Sequence, residues 1–384
     1  MERDWHYGED CGGRGEVEVM KKVLVLCTTD SMIWNFLVPH IKDLKNDGYD
    51  VECACAETGK YYNELEEKYG FKMNKIQFAR SPYKKENINA YLKLKNLVKK
   101  KKYDIIFCHE PVGGAMGRIV GKKYGCYVIY MAHGFHFYKG AGWSSIIYYI
   151  VEKTLSKRTD CLVTINHEDY SAATKFYAKK TILLHGIGVD ISKFIYDPNG
   201  SYIRKELNLD DSDTILLSVG ELIKRKNHES VIKAIGRLKN KKLHYVIVGE
   251  GELREYLLKL TQRLRIEKQI HFLGFRKDVN KLCNSADIFI MPSLQEGLSV
   301  ALMEAMACGR PIIASKIRGN IDLIKEKEGG ILVDAKSVKD YEKAIKYMIK
   351  NREIAQKMGK YNLSIIRQFD IETVRKEMKR VFIQ

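Results

Sequence analysis

Short runs of β-branched and aromatic residues alternate with longer amphipathic stretches along nearly the whole chain. In the first half, residues 23–27, 50–56, 104–108, 127–131 and 161–165 are apolar runs of strand length. Residues 32–46, 61–69, 88–101, 114–124 and 144–156 carry apolar positions at helical spacing. Asp30 or Ser31 is the expected N-cap of the helix 32–46. The second half repeats the rhythm. Strands are predicted at 214–219, 245–249 and 270–273, and helices at 229–238, 252–264, 338–351 and 371–382. Strand–helix–strand repetition of this kind predicts a parallel sheet covered by helices on both faces. The fold class is therefore α/β. A length of 384 residues exceeds one compact core and fits two such domains.

The most informative unit lies late in the chain. The apolar run 287–291 reads as a buried strand, stopped by Pro292 and Ser293. A helix is expected from Leu298 to Cys308, closed by Gly309 and Pro311, and a strand resumes at 312–314. Glu296 falls in the loop at a strand's carboxyl end, where open α/β sheets bind ligands. Glu304 lies two turns into the predicted helix. Free backbone N–H groups of Leu298, Ser299 and Val300 at the helix N-terminus suit an anion such as a diphosphate, and the two carboxylates suit hydroxyls. Taken singly, Glu296 is also readable as a loop acid and Glu304 as a helix-surface residue.

Composition narrows the picture. The apolar content of 45% is that of a globular protein, and no window is an uncharged span of membrane-crossing length. No signal peptide is apparent, so a cytosolic location is expected. Residues 1–19, polar and glycine-rich, read as a disordered leader. The net charge of +18 calls for an anionic partner: nucleic acid, a membrane surface or anionic small molecules. The basic run 93–102 is the densest patch, readable as a solvated helix face or as a membrane-attracting one. Nine cysteines show no zinc spacing and read as buried thiols.

The string Pro292-Ser293-x-x-Glu296-Gly297-Leu298-x(5)-Glu304-Ala305-Met306-Ala307-x-Gly309-x-Pro311-Ile312-Ile313-Ala314 resembles the glutamate-x7-glutamate signature of the family 4 retaining glycosyltransferases. These have the GT-B architecture, two Rossmann-like domains facing a cleft. The resemblance covers nearly the whole chain beyond the leader. It implies an N-terminal acceptor domain over 20–185, a nucleotide-sugar donor domain over 186–366, and a final helix within 367–384 that crosses back to the first domain. The joint falls at His185-Gly186-Ile187-Gly188-Val189-Asp190.

It further implies a hexose or N-acetylhexosamine moved with retention from a nucleoside diphosphate sugar, a UDP-sugar by expectation. The co-substrate is that nucleotide sugar and no cofactor is expected. Lys226, with Arg225 beside it, matches the lysine that holds the donor diphosphate. Many family members have an arginine where Glu221 stands here. Glu296 would hold sugar hydroxyls and Glu304 the ribose, with Gly297, Leu298 and Ser299 at the diphosphate. Gly249 and Gly251, after a strand, are placed on the donor side, although a tight turn explains them almost as well. Arg276 falls in the segment beside the nucleobase, with a surface salt bridge as the equal alternative. His133 occupies the position of a histidine contacting the transferred sugar, and His136 follows it. On the acceptor side stand His109, at another strand end, and Thr29, Asp30 and Ser31, which replace the family's glycine-rich loop.

Asp211-Ser212-Asp213 has the form of a metal-binding acidic motif, but it precedes a strand and reads as a turn. No essential metal is expected. The string Ala132 to Lys139 also resembles enzymes of bacterial surface polysaccharide assembly. An undecaprenyl-diphosphate-linked saccharide is then the expected acceptor, and the anionic inner membrane surface a peripheral docking partner on the cytoplasmic face. Residues 144–153, rich in large apolar side chains, read as core packing or as an interfacial helix. Of three rival readings a dinucleotide oxidoreductase is the poorest, because no Gly-x-Gly-x-x-Gly follows the first strand, and two more stand beside it. One is a nucleotide-sugar epimerase of the same architecture. The other is a basic nucleic-acid binder, which would leave the setting of Glu296 and Glu304 unexplained, so no nucleic acid is expected.

Overall fold

A computed structural model describes residues 20–59, 61–138, 141–143 and 145–382. The proposed leader, residues 1–19, lies outside the described residues. Two all-parallel sheets account for the strands. The first holds β1 (Lys22–Thr29), β2 (Asp50–Ala56), β3 (Lys72–Lys75), β4 (Ile105–His109), β5 (Tyr127–Ala132), β6 (Cys161–Thr164) and β7 (Lys180–Leu183), in the spatial order 3-2-1-4-5-6-7. The second holds β8 (Thr214–Val219), β9 (Leu243–Val248), β10 (Ile270–Gly274), β11 (Ile288–Met291), β12 (Ile312–Ser315) and β13 (Gly330–Val333), in the order 10-9-8-11-12-13. The central strands are buried on both faces, as their unbroken apolar runs require: β1 is covered from Val23 to Thr29 and β11 throughout. Strand order reverses between β1 and β4 in one sheet and between β8 and β11 in the other. Those reversals open a crevice at the carboxyl ends of the strands, and both crevices face the space between the lobes.

Several elements escape the hydrophobic pattern. β3 and β7 are short, half-buried edge strands, and β13 contains only four residues. The helices His167–Ala173 and Arg352–Ile365 also go unpredicted. The helix expected from Gly114 begins at Pro111, whose fixed φ suits a first turn. The helix expected from residue 32 begins at Asp30 and passes through a wider π turn, Ile33–Leu37, into Val38–Asn46. Its cap is Thr29, without a side-chain bond, rather than Asp30 or Ser31.

The lobes are tied twice. The connector pairs with the returning chain: Val189 N–H donates to Phe369 C=O at 2.9 Å and Ile371 N–H donates to Val189 C=O at 2.9 Å. The last helix, Ile371–Phe382, then lies on the first lobe. Met378, Val381 and Phe382 are buried in that lobe's core, with Phe382 edge-on to Phe107 at 5.2 Å. Arg375 pairs with Asp43, Lys379 Nζ lies 2.7 Å from Asp47, and His185 Nδ1 lies 2.7 Å from Glu377. The eight cysteines among the described residues are all buried and free, as the absence of zinc spacing led one to expect. Asp213 lies in a turn before β8, its carboxylate accepting from Asp210 N–H at 2.9 Å, at the strand end remote from the cleft.

Candidate active site

The second lobe supplies a charged cluster at its strand-order reversal. The loop after β8 carries Arg225 and Lys226, and the loop after β11 carries Glu296. Lys226 Nζ lies 2.8 Å from Glu296 Oε1 and Arg225 Nη1 lies 3.2 Å from Oε2. The two loops are stitched by Leu294 N–H donating to Arg225 C=O at 2.8 Å and by Arg225 Nη1 donating to Gln295 C=O at 3.0 Å. Burial works to raise the Glu296 carboxyl, but Lys226 and Arg225 outweigh it and hold it below the usual carboxylate range. Glu296 is therefore an anion at neutral pH, and two cations stand ready around it. Glu221 lies 3.9 Å from Arg225 and reduces the positive charge on that flank.

The helix after Glu296 starts later than expected. It spans Val300–Ala307, with Ser299 as N-cap, its Oγ accepting from Leu302 N–H at 3.3 Å. Leu298 and Ser299 are thus ahead of the helix, and its free N–H groups belong to Val300 and Ala301. Glu304 lies one turn in, not two. No hydrogen bond or ion pair of its carboxylate is found among the described residues, and burial pushes it up to about 7. Two carboxylates eight positions apart thus differ in kind: Glu296 is a paired anion, while Glu304 titrates near neutrality.

At Gly297 the backbones of the two lobes come close together. A Cβ there would stand 1.9 Å from His133 C=O, and one on Gly134 would stand 3.1 Å from Gly297 Cα. Both positions require glycine for packing. A cavity of about 350 Å3 is lined by His133, His136, Arg225, Glu296, Leu298 and Arg318. It adjoins a second space of about 530 Å3 lined by Thr29, Ser31, Arg80, Glu110, His136 and Arg225. Together they form the cleft. A further cavity of about 430 Å3 beside Tyr196, Arg310 and Met348 lies at the amino ends of β8, β11 and β12, away from this chemistry.

The first lobe meets the cleft with a histidine pair. His109 Nδ1 lies 3.0 Å from His133 Nε2; His109 is wholly buried and His133 half-buried at the cleft wall. Burial drives His109 well down and His133 to about 4, so both are neutral at pH 7. His109 Nε2 has no partner among the described residues. A buried lone pair is cheaper to leave unmatched than a buried N–H. His109 therefore donates from Nδ1, and His133 keeps its proton on Nδ1, the ring nitrogen left over for the cleft.

Some expected residues are elsewhere engaged. His109 is wholly buried and lines neither of the two cleft cavities; it supports His133 rather than facing an acceptor. Asp30 is wholly buried, accepting from Ser31 N–H at 2.8 Å and from the Thr58 hydroxyl, so it fastens a loop. Thr29 and Ser31 remain on the cleft wall. Arg276 is saturated: Nη1 donates to Glu206 at 2.7 Å and Nη2 to Asp278 at 2.7 Å, so the salt bridge is what its charge serves here. Gly249 and Gly251 admit protein rather than ligand, since a Cβ at either would stand 2.1 Å from Gly220 C=O or 2.6 Å from Leu222 C=O.

Two further residues shape the site, Glu110 from the strand-end string with His109 and Arg318, which went unforeseen. Glu110, after β4, holds the loop after β1 by accepting from Thr28 N–H at 2.8 Å. It does so from a left-handed φ of 61°, rare for a residue with a side chain. Arg318, after β12, is buried and reaches across to the first lobe. Its Nη1 donates to Asp169 at 2.6 Å and its Nη2 to Phe135 C=O at 2.9 Å, while Nε donates to Glu296 C=O at 3.3 Å. No local pattern around Arg318 or Asp169 marks them, because the partners are remote in the chain.

Comparison with known proteins places this architecture. Residues 22–166 match the family described as glycosyl transferase 4-like, and residues 201–364 the family described as glycosyl transferases group 1. EpsD of Bacillus subtilis, classed as a glycosyltransferase, is 32% identical over 373 residues, covering 94% of this chain and 96% of its own. The UDP-Gal:α-D-GlcNAc-diphosphoundecaprenol α-1,3-galactosyltransferase of Escherichia coli is 29% identical over 314 residues, covering 79% and 80%. Among solved structures, HepE of Anabaena in complex with UDP superposes with a TM-score of 0.78 at 18% identity, over 94% of this chain and 99% of that one. The shared fold is GT-B. With each lobe matched by its own family and one relative aligned almost end to end, the chain belongs to the family 4-like, group 1 glycosyltransferases and is an enzyme of sugar transfer.

Proposed function

We propose that the enzyme moves a hexose or N-acetylhexosamine from a UDP-sugar, with retention, to a lipid-linked saccharide during bacterial surface polysaccharide assembly. The observation that carries this reading is the cluster at the β8–β11 reversal, where Arg225 and Lys226 meet Glu296 across a cleft from His133. Cations fixed in a partly dry cleft stabilise a diphosphate as its charge grows on departure. Glu296, anionic and already bonded to Lys226, accepts from sugar hydroxyls. Glu304 accepts from the ribose, and His133 Nδ1–H donates to the sugar from the opposite wall. The acceptor hydroxyl attacks the face that the diphosphate leaves, and its proton passes to a phosphate oxygen. The C–O bond to the diphosphate breaks as the new glycosidic bond forms. The fixed charges already present make a metal dispensable, so turnover persists in excess chelator.

The lipid-linked acceptor is supported by the E. coli relative, whose name specifies a diphosphoundecaprenol acceptor. A second relative, from Campylobacter jejuni, is an N,N'-diacetylbacillosaminyl-diphospho-undecaprenol α-1,3-N-acetylgalactosaminyltransferase, 23% identical over 356 residues. No helix among the described residues is long and apolar enough to cross a membrane. We place the enzyme peripherally on the cytoplasmic face. The test is incubation with a panel of UDP-sugars and undecaprenyl-diphosphate-linked GlcNAc, with the product's anomeric configuration read by NMR. A new α-linkage is expected from an α-configured donor. Epimerised donor without acceptor consumption, or no turnover with any donor, would overturn the reading.

A further inference from the structure

Three neighbouring helices cover one face of the first sheet: Glu86–Lys101, Pro111–Lys123 and Ser145–Ser156. The third is fixed by its inner side. Glu152 is paired at 2.7 Å with Arg118, and Tyr149 packs edge-on against Phe137 and Phe176. Its outer side is then forced into solvent. Ile146, Ile147, Ile150 and Val151 are 48%, 59%, 56% and 44% exposed, and Trp143 just before the helix is 89% exposed. Spacings of three and four residues put the four on a single helix face. Core packing, the simpler expectation for this stretch, does not account for them. On the first helix Ile88 and Leu92 are likewise exposed, with Tyr83 ahead of it.

The charge around these side chains is mostly positive, although Glu168 lines a cavity with Ile146 and Glu86 is exposed. The first helix exposes Lys93, Lys99 and Lys100, with Lys84 and Lys85 just before it. The second exposes Lys123, and Lys157 follows the third. Across the three helices the acids are Glu86 and the buried, paired Glu152. Each helix joins parallel strands, so its N-terminal half lies at the cleft end of the lobe. The exposed apolar residues fall mainly in those halves, and Arg80 on the cleft wall lies a few residues ahead of Tyr83.

We propose that this face docks the enzyme on an anionic lipid bilayer, cleft mouth toward the headgroups. Isoleucines and Trp143 enter the headgroup–acyl boundary while the lysines meet lipid phosphates. A second copy of the chain is disfavoured, because self-docking would set lysine against lysine. The inference gives the lipid-linked acceptor of the proposed function a route of delivery and in that respect rests on it, but its test does not depend on catalysis.

Co-sedimentation of the full chain with vesicles of phosphatidylcholine, with and without phosphatidylglycerol, reads the binding. Wild type is expected on the anionic vesicles only, weakening with salt. Ile147→Glu/Ile150→Glu and Lys93→Glu/Lys99→Glu/Lys100→Glu should each bind about tenfold more weakly or worse. Their UDP-induced thermal shifts should match wild type, which shows that the fold is intact. Equal vesicle binding by both variants, no binding by wild type, or a solution dimer dissolved by Ile147→Glu/Ile150→Glu would overturn the proposal. Transfer to a short-chain soluble acceptor separates the two readings. If it survives where vesicle binding fails, only the docking falls; if it is absent where docking holds, the transfer reading falls.

Discussion

The two walls of the cleft are built by different means. In the second lobe the chemistry is nearly contiguous: Glu296, the capped helix and Glu304 follow one another within a single strand–loop–helix, and Lys226 joins from the adjacent strand. In the first lobe no segment suffices. His133 is held by His109 from the neighbouring strand, and Asp169 is met by an arginine from the other lobe. One wall is thus written along the chain and the other across it. The first is robust to how the lobes sit, whereas the second is complete only when they are together.

The largest effect should come from the bond that joins the walls. Arg318→Ala or Asp169→Ala leaves one buried charge unmatched, a cost of about 3–5 kcal/mol. Because parting the lobes rehydrates that charge, we expect the loss as cleft opening: a larger radius of gyration by X-ray scattering and collapsed transfer. Singles as compact and active as wild type would show that the first wall does not need the second. Next in size, Lys226→Ala and Glu296→Gln should each lower transfer by about 10²–10³-fold with melting unchanged. That result tests the contiguous wall alone, and retained turnover would remove its assigned role.

A smaller effect separates the two carboxylates. Glu304 ionises near 7, and the anion accepts from hydroxyls more strongly than the protonated acid does. Nucleotide affinity should therefore be full above that value and fall about tenfold between pH 8 and pH 6, one pKa unit either side. The stability sign is opposite: the folded state holds the Glu304 proton, so stability is lost as pH rises from the ordinary carboxylate value to about 7. Glu304→Gln should flatten the affinity profile, seen by calorimetry, and melt a few degrees higher at pH 8. A wild-type profile without slope would put Glu304 outside the nucleotide site. The smallest effect belongs to His109→Phe. It should lower kcat by no more than about tenfold, one hydrogen bond's worth, with UDP affinity unchanged. A matching loss of UDP affinity would mean that the ring supports the lobe rather than His133.

This contrast explains what could be read in advance. The strand–helix alternation, the two-sheet architecture and the string from Pro292 to Ala314 are local, so periodicity and spacing reveal them. Leu298 extends the apolar pattern two residues ahead of the true helix start and so hides Ser299 as the cap, although only the serine can accept from Leu302 N–H. β3, with the sequence Lys72-Met73-Asn74-Lys75, has too little apolar surface to look like a strand and is made one by pairing with β2. Arg276 looked like a ligand for a base until Glu206, 70 positions away, was brought beside it. Gly249 and Gly251 marked close approach correctly, but of a neighbouring loop. The Ser299 cap apart, each of these is a contact between residues distant in sequence, where tertiary packing overrides local preference.

The final helix has a consequence for how the protein is made. Phe107 and the strands around it leave the ribosome well before Met378, Val381 and Phe382, which seal that core from the far side of the second lobe in sequence. The second lobe encodes all of its own strands and can collapse first. The earlier lobe must wait, with a greasy seam open, until the helix beyond the second lobe is made and swings back to close it.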